Sequence, residues 1–372
     1  MKSIACFIDP LVSASPDTAE AAFQEALPSL ISRLPEYRFI LLSSFPDLTW
    51  EENLGGQVEL VQLPLPKIFL ASYETRLKKG LKTWIDQYQP SVFISFDKEA
   101  VVEGARNTLL FGTASHLLVD SKGKRMTKTP AKLPAWTGAS IICLPFTSDK
   151  EQVLQVFPTI ENQLKVQYPA LQPDCQSISW SEQETIKIRH SGGRDYFLYV
   201  GPLHAGNQII ELLKSYSLLK KWLMTGMPLI LAGPATEETS QLESLLKTYK
   251  YRADITLLPD LDPVELGPLL AGAYLMAYPY REGTATWPLE WAMSAGTPLI
   301  TTSHPDTKEI CGEGAWYAAS GDLDAWAHQM MLLYKDEHQR SRLIEKEQQQ
   351  HIILNQSLTL DQYTLFIRQL SA

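Results

Sequence analysis

Two glutamates with seven residues between them are the first pair in this chain whose type and spacing could do chemistry. Glu282 and Glu290 lie in the stretch REGTATWPLEWAMSAGTP, residues 281–298. A carboxylate accepts hydrogen bonds through two oxygens, so each could hold hydroxyl groups of a ligand. Pro288 suits the first turn of a helix and Gly296 suits its end, which predicts Glu282 in a loop and Glu290 in a first helical turn. A loop that leads into a helix N-terminus favours a phosphorylated ligand.

The elements around this pair predict two doubly wound α/β domains. Strand, helix and strand patterns open the chain at Ser3–Ile8, Ala19–Leu34 and Phe39–Leu42. In the second half, apolar runs alternate with helix patterns, which predicts a parallel sheet covered on both faces. These runs are Tyr196–Val200, Pro228–Ala232, Ile255–Leu258, Tyr274–Tyr278, Pro298–Thr302 and Trp316–Ala318. The glutamate stretch follows the fourth run, so it should lie at the carboxyl end of a strand, where such sheets bind ligands.

The glutamate stretch resembles the E-x7-E signature of a large family of retaining glycosyltransferases with the two-domain GT-B fold, the family 4-like enzymes. There the motif usually reads E-G-F-G-L-P-x-x-E-A-M-A-x-G-T-P. The chain keeps the glutamate spacing, Gly283 and the Ala-Gly-Thr-Pro ending, and it replaces Phe-Gly-Leu-Pro with Thr284–Trp287. The resemblance implies two Rossmann-like domains facing across a cleft. We expect an acceptor-side domain at 1–180, with a linker within 169–193, a donor domain at 181–352, and a helix at 353–372 that crosses back to the first domain.

The resemblance also implies roles for residues of the donor domain. Glu290 would accept hydrogen bonds from the nucleotide ribose, although a carboxylate that only caps its helix is the alternative. Glu282 would contact hydroxyls of the donor sugar near the reaction centre and so belong to the catalytic residues. Backbone N–H groups of the loop before the helix would line the sugar and the phosphates. The predicted donor-binding residues are Glu290, Gly283, Thr284, Ala285, Thr286, Gly206, Asn207, Leu261 and Arg281.

The phosphate-binding loop departs from the family pattern. Relatives place an Arg-Lys pair after the first strand of the donor domain, and an ungapped alignment puts Gly206 and Asn207 at those positions. Two lost charge-assisted hydrogen bonds would cost roughly 3–6 kcal/mol if nothing replaced them. Arg281 could present a guanidinium to the same site, and an ordinary exposed arginine is the alternative.

Two further motifs have competing interpretations. Many relatives carry a His-Asp pair beside the reaction centre, and the nearest candidate here is His116, which is either catalytic or a structural histidine. Asp260-Leu261-Asp262 has the form of a metal-binding D-x-D. However, Pro263 follows it at a predicted helix start, so we expect Asp262 to be an N-cap and expect no metal. In the family this loop borders the nucleotide base, which places Leu261 near the donor.

Composition narrows the class of protein. The chain has 372 residues and a net charge of −9, which disfavours a dedicated nucleic-acid binder. No stretch approaches the length of a membrane span, and the four cysteines form no C-x-x-C pair, so we expect a cytoplasmic protein. Basic residues concentrate in the predicted helix Tyr73–Tyr88 and in 122–132, which we expect to be a mobile loop. Either segment could meet anionic lipid or an acidic acceptor, or simply be solvated.

The resemblance therefore implies a retaining hexosyltransferase-like glycosyltransferase that moves a sugar from a nucleotide-sugar donor to an acceptor hydroxyl in polysaccharide or glycoconjugate biosynthesis. The acceptor would be a glycan or lipid-linked, met in the cytoplasm at the inner face of the membrane, and no cofactor beyond the nucleotide-sugar co-substrate is expected. The alternative is a catalytically degenerate GT-B protein that binds a nucleotide, a glycan or a partner glycosyltransferase. It is favoured by Gly206 and Asn207, by the glycine-free segment 12–17 and by the missing His-Asp pair.

Overall fold

The protein is described from a computed structural model that covers residues 2–8, 27–44, 57–66, 72–102, 107–120, 123–167, 175–203, 209–259, 261–282, 284, 286–357 and 360–372. The chain divides into two compact units. Unit 1 comprises 1–172 with 358–372, and unit 2 comprises 173–357. The division falls at 172/173 rather than at the predicted 180/181 because Cys175 is held within unit 2. Its thiol donates to the Gly267 carbonyl at 3.3 Å, and its carbonyl accepts from Ser294 Oγ at 2.7 Å.

In the described residues, unit 1 contains a seven-stranded sheet in the order β3-β2-β1-β4-β5-β6-β7, with every pairing parallel. Most strands are short runs of apolar residues buried on both faces, as a parallel sheet covered by helices requires. The strands are β1 Lys2–Phe7, β2 Tyr37–Ser43, β3 Val58–Gln62, β4 Val92–Ser95, β5 Thr108–Phe111, β6 Ile141–Leu144 and β7 Leu164–Val166.

Helices of unit 1 lie along the chain between these strands. They are α1 at residues 27–33, α2 Tyr73–Tyr88, α3 Ala114–Leu117 and α4 Thr147–Val156, with short 3-10 helices at Lys98–Ala100, Ala135–Gly138 and Pro158–Gln163. Helix α2 begins where the Thr75 N–H donates to Ser72 Oγ at 3.3 Å. Its apolar stripe of Leu77, Leu81 and Trp84 is buried in the core, which leaves its basic residues on the flank.

In the described part of unit 2, six strands form a second parallel sheet in the order β10-β9-β8-β11-β12-β13. They are β8 Phe197–Val200, β9 Leu229–Gly233, β10 Ile255–Pro259, β11 Leu275–Tyr278, β12 Leu299–Thr302 and β13 Trp316–Ala318. The two predicted doubly wound parallel sheets are therefore confirmed.

Unit 2 is helical between its strands and beyond the last of them. Its helices are α5 Trp180–Ser191, α6 Ile209–Leu223, α7 Thr239–Thr248, α8 Pro263–Ala271, α9 Trp287–Ala295, α10 Pro305–Cys311, α11 Leu323–Lys335 and α12 Glu337–Ser357. The last helix, α13 Leu360–Ser371, belongs to unit 1. It packs against β4 and β5 and buries Tyr363 and Ile367 in the core.

In 123–132, the described part of the segment that we expect to be a mobile loop, several groups form hydrogen bonds with neighbouring segments. The Met126 N–H donates to the Leu118 carbonyl at 2.6 Å, the Lys124 N–H donates to Asp120 Oδ1 at 2.8 Å, and the Thr129 hydroxyl bonds to the Val156 carbonyl. These hydrogen bonds fix a segment whose sequence is rich in basic residues, glycine and proline. Among the described residues, no helix is both long and apolar enough to cross a membrane.

Candidate functional site

The strand order of unit 2 defines where a ligand can bind. From β8 the chain moves outward to β9 and β10, then returns to β11 on the other side of β8 and continues to β12 and β13. Because all these strands are parallel, the loops that follow β8 and β11 diverge at the same edge of the sheet. A crevice between such loops is the usual ligand site of an open α/β sheet. The loop after β11 carries Arg281, Glu282 and Thr284, so the structure brings these predicted residues to the switch point.

The start of the loop after β8 is fixed against the neighbouring loop. The Gly201 N–H donates to the Ala232 carbonyl and the Leu203 N–H donates to the Pro234 carbonyl, both at 3.0 Å. Gly233 has φ of 146°, and a Cβ atom there would lie 2.2 Å from the Gly201 carbonyl oxygen. The close approach of the two loops thus requires glycine at this position.

Four of the predicted donor-binding residues lie outside the described residues. They are Gly206 and Asn207 in the loop after β8, and Gly283 and Ala285 in the loop after β11. Their predicted contacts with the phosphates and the sugar stay predictions.

Thr284 organises the described part of the loop after β11. Its N–H donates to the Arg281 carbonyl at 2.9 Å, its hydroxyl donates to the same carbonyl at 2.7 Å, and the Arg281 N–H donates to its Oγ1 at 3.3 Å. Arg281 and Glu282 are exposed, whereas Thr286 is buried and directly precedes α9. The turn therefore leaves a cation and a carboxylate accessible beside the N-terminus of a helix.

Beneath this loop lies a buried polar group that sequence reasoning missed. The Tyr280 hydroxyl donates to Asp306 Oδ2 at 2.6 Å, and both residues are almost fully buried. His304 caps α10 with Nδ1, which accepts the Asp306 N–H at 3.3 Å, and its ring lies 5.2 Å from that of Tyr280. Because Tyr280 directly precedes Arg281, this group anchors the loop to the start of α10. The available signal was the His304-Pro305 pair, which is typical of a helix start after a strand.

Glu290 is in the first turn of α9, as predicted, but it is only 4% exposed. No described residue donates a hydrogen bond to its carboxyl group. Burial raises its pKa to about 8, so the group is largely protonated at neutral pH. It neighbours the buried thiol of Cys311, whose pKa is raised by burial and by nearby carboxyl groups including that of Glu290. The predicted contact of Glu290 with ribose stays a prediction. Such a contact requires the ligand to reach a carboxyl group that is almost fully buried.

Trp291 is a second candidate on α9 that the sequence reasoning missed. In the family motif the second glutamate stands five residues before the glycine of Gly-Thr-Pro, and here Trp291 stands five before Gly296 while Glu290 stands six before it. Trp287 and Trp291 are both half-buried, with ring centroids 4.8 Å apart. The buried Nε1 of Trp291 has no hydrogen-bond partner among the described residues. The more open face of α9 thus presents an indole pair where relatives present a carboxylate.

The D-x-D stretch is explained by helix capping at its second aspartate. Asp262 Oδ1 accepts the Val264 N–H at 2.9 Å, and Pro263 occupies the first position of α8, as predicted. Leu261 is half-buried in the loop after β10, and Asp260 lies outside the described residues. Within the described ranges, no group of three or more His, Cys, Asp or Glu side chains could hold a metal ion.

His116 lies in unit 1, in helix α3 at the carboxyl end of β5. Part of the His116 side chain is exposed to solvent. Desolvation of the rest of the imidazole and the positive charge of Lys98 lower the pKa of His116 to about 4. Lys98 is buried and donates to the carbonyls of His116 and Val119 at 2.6 and 2.5 Å, and burial lowers its own pKa. A neutral imidazole with so low a pKa suits hydrogen bonding better than general base catalysis at pH 7.

Sequence comparison identifies the family of unit 2. The profile of the family described as Glycosyl transferases group 1 matches residues 181–350, which include both loops at the β8/β11 switch point. This segment is a glycosyl transferases group 1 domain. The chain is also similar to the O-antigen chain mannosyltransferase RfbU of Salmonella typhimurium, at 26% identity over 177 residues that cover 47% of this chain and 49% of that protein. The match thus spans about half the length of RfbU.

Solved structures extend the likeness to both units. WaaG, a glycosyltransferase involved in lipopolysaccharide biosynthesis, superposes with a TM-score of 0.73 at 13% identity, covering 98% of this chain and 99% of WaaG. Alr3699/HepE of Anabaena in complex with UDP-glucose gives 0.70 at 13% identity, covering 100% and 98%. At these identities the likeness shows the fold, and the predicted GT-B fold around the group 1 domain is confirmed.

Proposed function

We propose that this chain is a retaining glycosyltransferase that moves a sugar from a nucleotide-sugar donor to an acceptor hydroxyl in polysaccharide or glycoconjugate biosynthesis. The observation that carries the proposal is the group 1 match, because it spans both loops at the switch point of unit 2. The mannosyltransferase RfbU, similar over about half its length, supports an acceptor of the O-antigen type. The HepE structure with UDP-glucose supports a nucleotide-sugar donor.

The charges of the loop after β11 suit the departure of a nucleoside diphosphate. Negative charge develops on the leaving phosphate, and the N-terminus of α9 carries a positive partial charge at that point. The exposed guanidinium of Arg281 is proposed to supply the cation that Gly206 and Asn207 cannot. Glu282, exposed beside it, would accept hydrogen bonds from the donor sugar. We propose that no metal ion is needed.

Helix α9 offers two groups for the nucleoside. The protonated carboxyl of Glu290 could both donate and accept hydrogen bonds with ribose hydroxyls, once the donor reaches it. The half-buried indole ring of Trp291 could instead stack on the nucleoside. We favour Trp291 as the direct contact, because its face of α9 is the less buried one.

Retention implies that the leaving phosphate and the acceptor hydroxyl lie on the same face of the sugar, without a protein nucleophile. His116 is proposed to act on the acceptor side as a neutral hydrogen-bond acceptor, since its pKa is about 4. The acceptor is proposed to be a glycan or a lipid-linked glycan. The protein would meet it in the cytoplasm, at the inner face of the membrane.

A second candidate is a degenerate GT-B protein that binds a nucleotide, a glycan or a partner glycosyltransferase without efficient turnover. The burial of Glu290 favours it, because a carboxyl group directed into the core does not contact ribose without local rearrangement. This candidate shares the donor site with the enzyme and differs only in rate.

A turnover assay separates the two. Purified protein is incubated with UDP-, GDP- and ADP-sugars and a mixture of short glycan acceptors, and release of the nucleoside diphosphate is followed. We expect turnover with one donor, loss of at least about a hundredfold in Arg281→Gln, and an anomeric configuration by NMR that matches the donor. The variant Arg252→Gln, on unit 2 outside the crevice, is the matched control. Binding without turnover for every donor would favour the degenerate protein.

A further inference from the structure

A pocket of about 300 Å³ lies at the amino edge of the sheet in unit 2. Its lining includes Asp195, two residues before β8, and Tyr274, directly before β11. The switch point described above lies at the carboxyl ends of the same two strands, so the pocket and the proposed donor site occupy opposite edges of one sheet. A volume of about 300 Å³ is at the lower end of the range for small-molecule sites, which favours a compact ligand.

Two helices line the pocket with side chains that lie about one turn apart. These are Gln183 and Lys187 of α5, and Arg340, Ile344 and Gln348 of α12. The carboxyl-terminal ends of α8 and α9, at 271–273 and 295–296, complete the wall. The last carbonyl groups of a helix have no partners within it and carry a negative partial charge. The backbone therefore supplies this pocket with hydrogen-bond acceptors.

The charged side chains of the pocket neutralise one another. Lys187 Nζ lies 3.0 Å from Glu184 Oε1 and 2.8 Å from Asp195 Oδ1. Arg340 donates through Nη1 to Glu337 Oε1 at 2.9 Å. Each cation thus has a carboxylate partner and also lies near helix ends whose partial charge is negative. This balance disfavours a phosphate or another anion of more than one charge, because such a ligand needs an excess of positive charge.

Two glutamines of the pocket keep their full hydrogen-bonding capacity. In the part of the chain that the structure describes, nothing forms a hydrogen bond with the side-chain amide of Gln183 or of Gln348. Gln348 lies beside the end of α9, since a Cβ atom on Gly296 would lie 3.8 Å from its Nε2. A primary amide both donates and accepts hydrogen bonds, and a hydroxyl group does the same. A ligand with several hydroxyl groups therefore matches these amides.

Arg340 is held over the ring of Tyr274. Its guanidinium carbon lies 4.5 Å from the ring centroid, and its Nε donates to the Tyr274 carbonyl at 3.3 Å. Nη2 donates to none of the described residues, so this nitrogen keeps its donors for a ligand. A guanidinium that is already fixed loses little conformational freedom when it binds adjacent hydroxyl groups. Ile344 adds apolar surface on which the C–H groups of a sugar ring can lie.

We propose that this pocket binds one sugar residue of an uncharged glycan, at a site separate from the donor and from the reacting acceptor hydroxyl. The amides of Gln183 and Gln348 and the guanidinium of Arg340 contact the sugar hydroxyls, and the sugar ring lies on Ile344. This binding does not depend on turnover. That the glycan is the one which the enzyme extends rests on the proposed function, and the pocket would then retain the growing glycan between additions.

The test is an NMR titration of the full chain with methyl α-mannoside, methyl α-glucoside, methyl α-galactoside and inorganic phosphate. Wild type is compared with Gln183→Leu/Gln348→Leu, which removes both amides and keeps the approximate size of the side chains. The matched control is Gln241→Leu/Gln349→Leu. It changes two exposed glutamines of unit 2 outside the pocket, the second of them on the same helix as Gln348. Circular dichroism verifies that all three proteins are folded.

We expect at least one glycoside to bind and the pocket variant to weaken it about tenfold, because two hydrogen bonds to neutral groups are lost. The control should leave its affinity unchanged, and UDP, GDP or ADP should not displace it. This result supports the inference whether or not a nucleotide binds, so it can succeed or fail independently of the proposed function.

Three results would overturn the inference. The first is an equal loss of affinity in both double variants, which would place the glycoside elsewhere. The second is displacement of the glycoside by a nucleotide, which would place it in the crevice at the β8/β11 switch point. The third is the absence of glycoside binding to folded wild type, with or without binding of inorganic phosphate.

Discussion

Glu290 is the residue whose charge state most directly affects stability. Its pKa is about 8 in the folded chain and about 4.3 in an unfolded one, because burial disfavours the carboxylate. Between these values the folded state binds more protons than the unfolded state, so the free energy of unfolding falls as pH rises. The stabilising effect of the neutral group is complete below pH 4 and is lost as pH approaches 8.

We therefore expect the free energy of unfolding of Glu290→Gln to be close to that of wild type at pH 5 and larger than that of wild type at pH 8. Since each unit of pKa shift corresponds to about 1.4 kcal/mol, the difference at pH 8 is several kcal/mol at most. Urea unfolding of both proteins at the two pH values measures this difference. Glu347 and Cys311 are also buried with raised pKa, and both remain in the variant, so the comparison isolates Glu290. A difference that does not change with pH would contradict the assignment.

Tyr280 should matter through the hydrogen bond that it donates to buried Asp306. Removal of the hydroxyl in Tyr280→Phe leaves a buried carboxylate without one of its donors, which costs about 1–3 kcal/mol. It should also weaken donor binding, because Arg281 follows directly. Tyr88→Phe is the control, since Tyr88 is 55% exposed. Urea unfolding that shows both variants at wild-type stability would mean that Asp306 does not depend on this contact.

At the scale of elements, the contact between the loops after β8 and β9 shapes one side of the crevice. A Cβ on Gly233 would lie 2.2 Å from the Gly201 carbonyl, at a φ of 146°. We expect Gly233→Ala to destabilise the chain by about 2 kcal/mol or more and to weaken donor binding by moving the loop. Gly226→Ala is the matched control, because a Cβ there meets nothing within 4 Å. Equal unfolding curves for the two variants would refute the close approach.

The elements themselves could largely be predicted from the sequence, because buried parallel strands leave short apolar runs that alternate with helix patterns. Both sheets followed from that signal, and the first turn of α9 followed from Pro288 at the start of the helix and Gly296 at its end. Helix α5 did not, since its polar sequence was interpreted as a linker and only the Ser179 and Glu182 capping box marks its start. The buried hydrogen bond beneath the site could not be predicted from the sequence either. Tyr280 and Asp306 are 26 residues apart, and nothing local indicates that they meet.

At the scale of the molecule, the chain forms two compact units. Unit 1 is built from two separate segments, 1–172 and 358–372, and unit 2 is the segment between them. Ile367 in α13 is fully buried in unit 1, and Leu333 in α11 is fully buried in unit 2. Each alanine substitution should cost about 2–5 kcal/mol in its own unit. In differential scanning calorimetry, Ile367→Ala should lower one transition and Leu333→Ala another. A common shift of a single transition in both variants would show that the units unfold together.

The most direct test of the account concerns where a nucleotide binds. Hydrogen exchange followed by mass spectrometry is measured on the full chain with and without saturating UDP, GDP or ADP. We predict that one nucleotide slows exchange in the loops after β8 and β11, at 201–203 and 280–290, and leaves exchange in unit 1 unchanged. Protection confined to unit 1, or no protection by any nucleotide in folded protein, would contradict a donor site at the β8/β11 switch point.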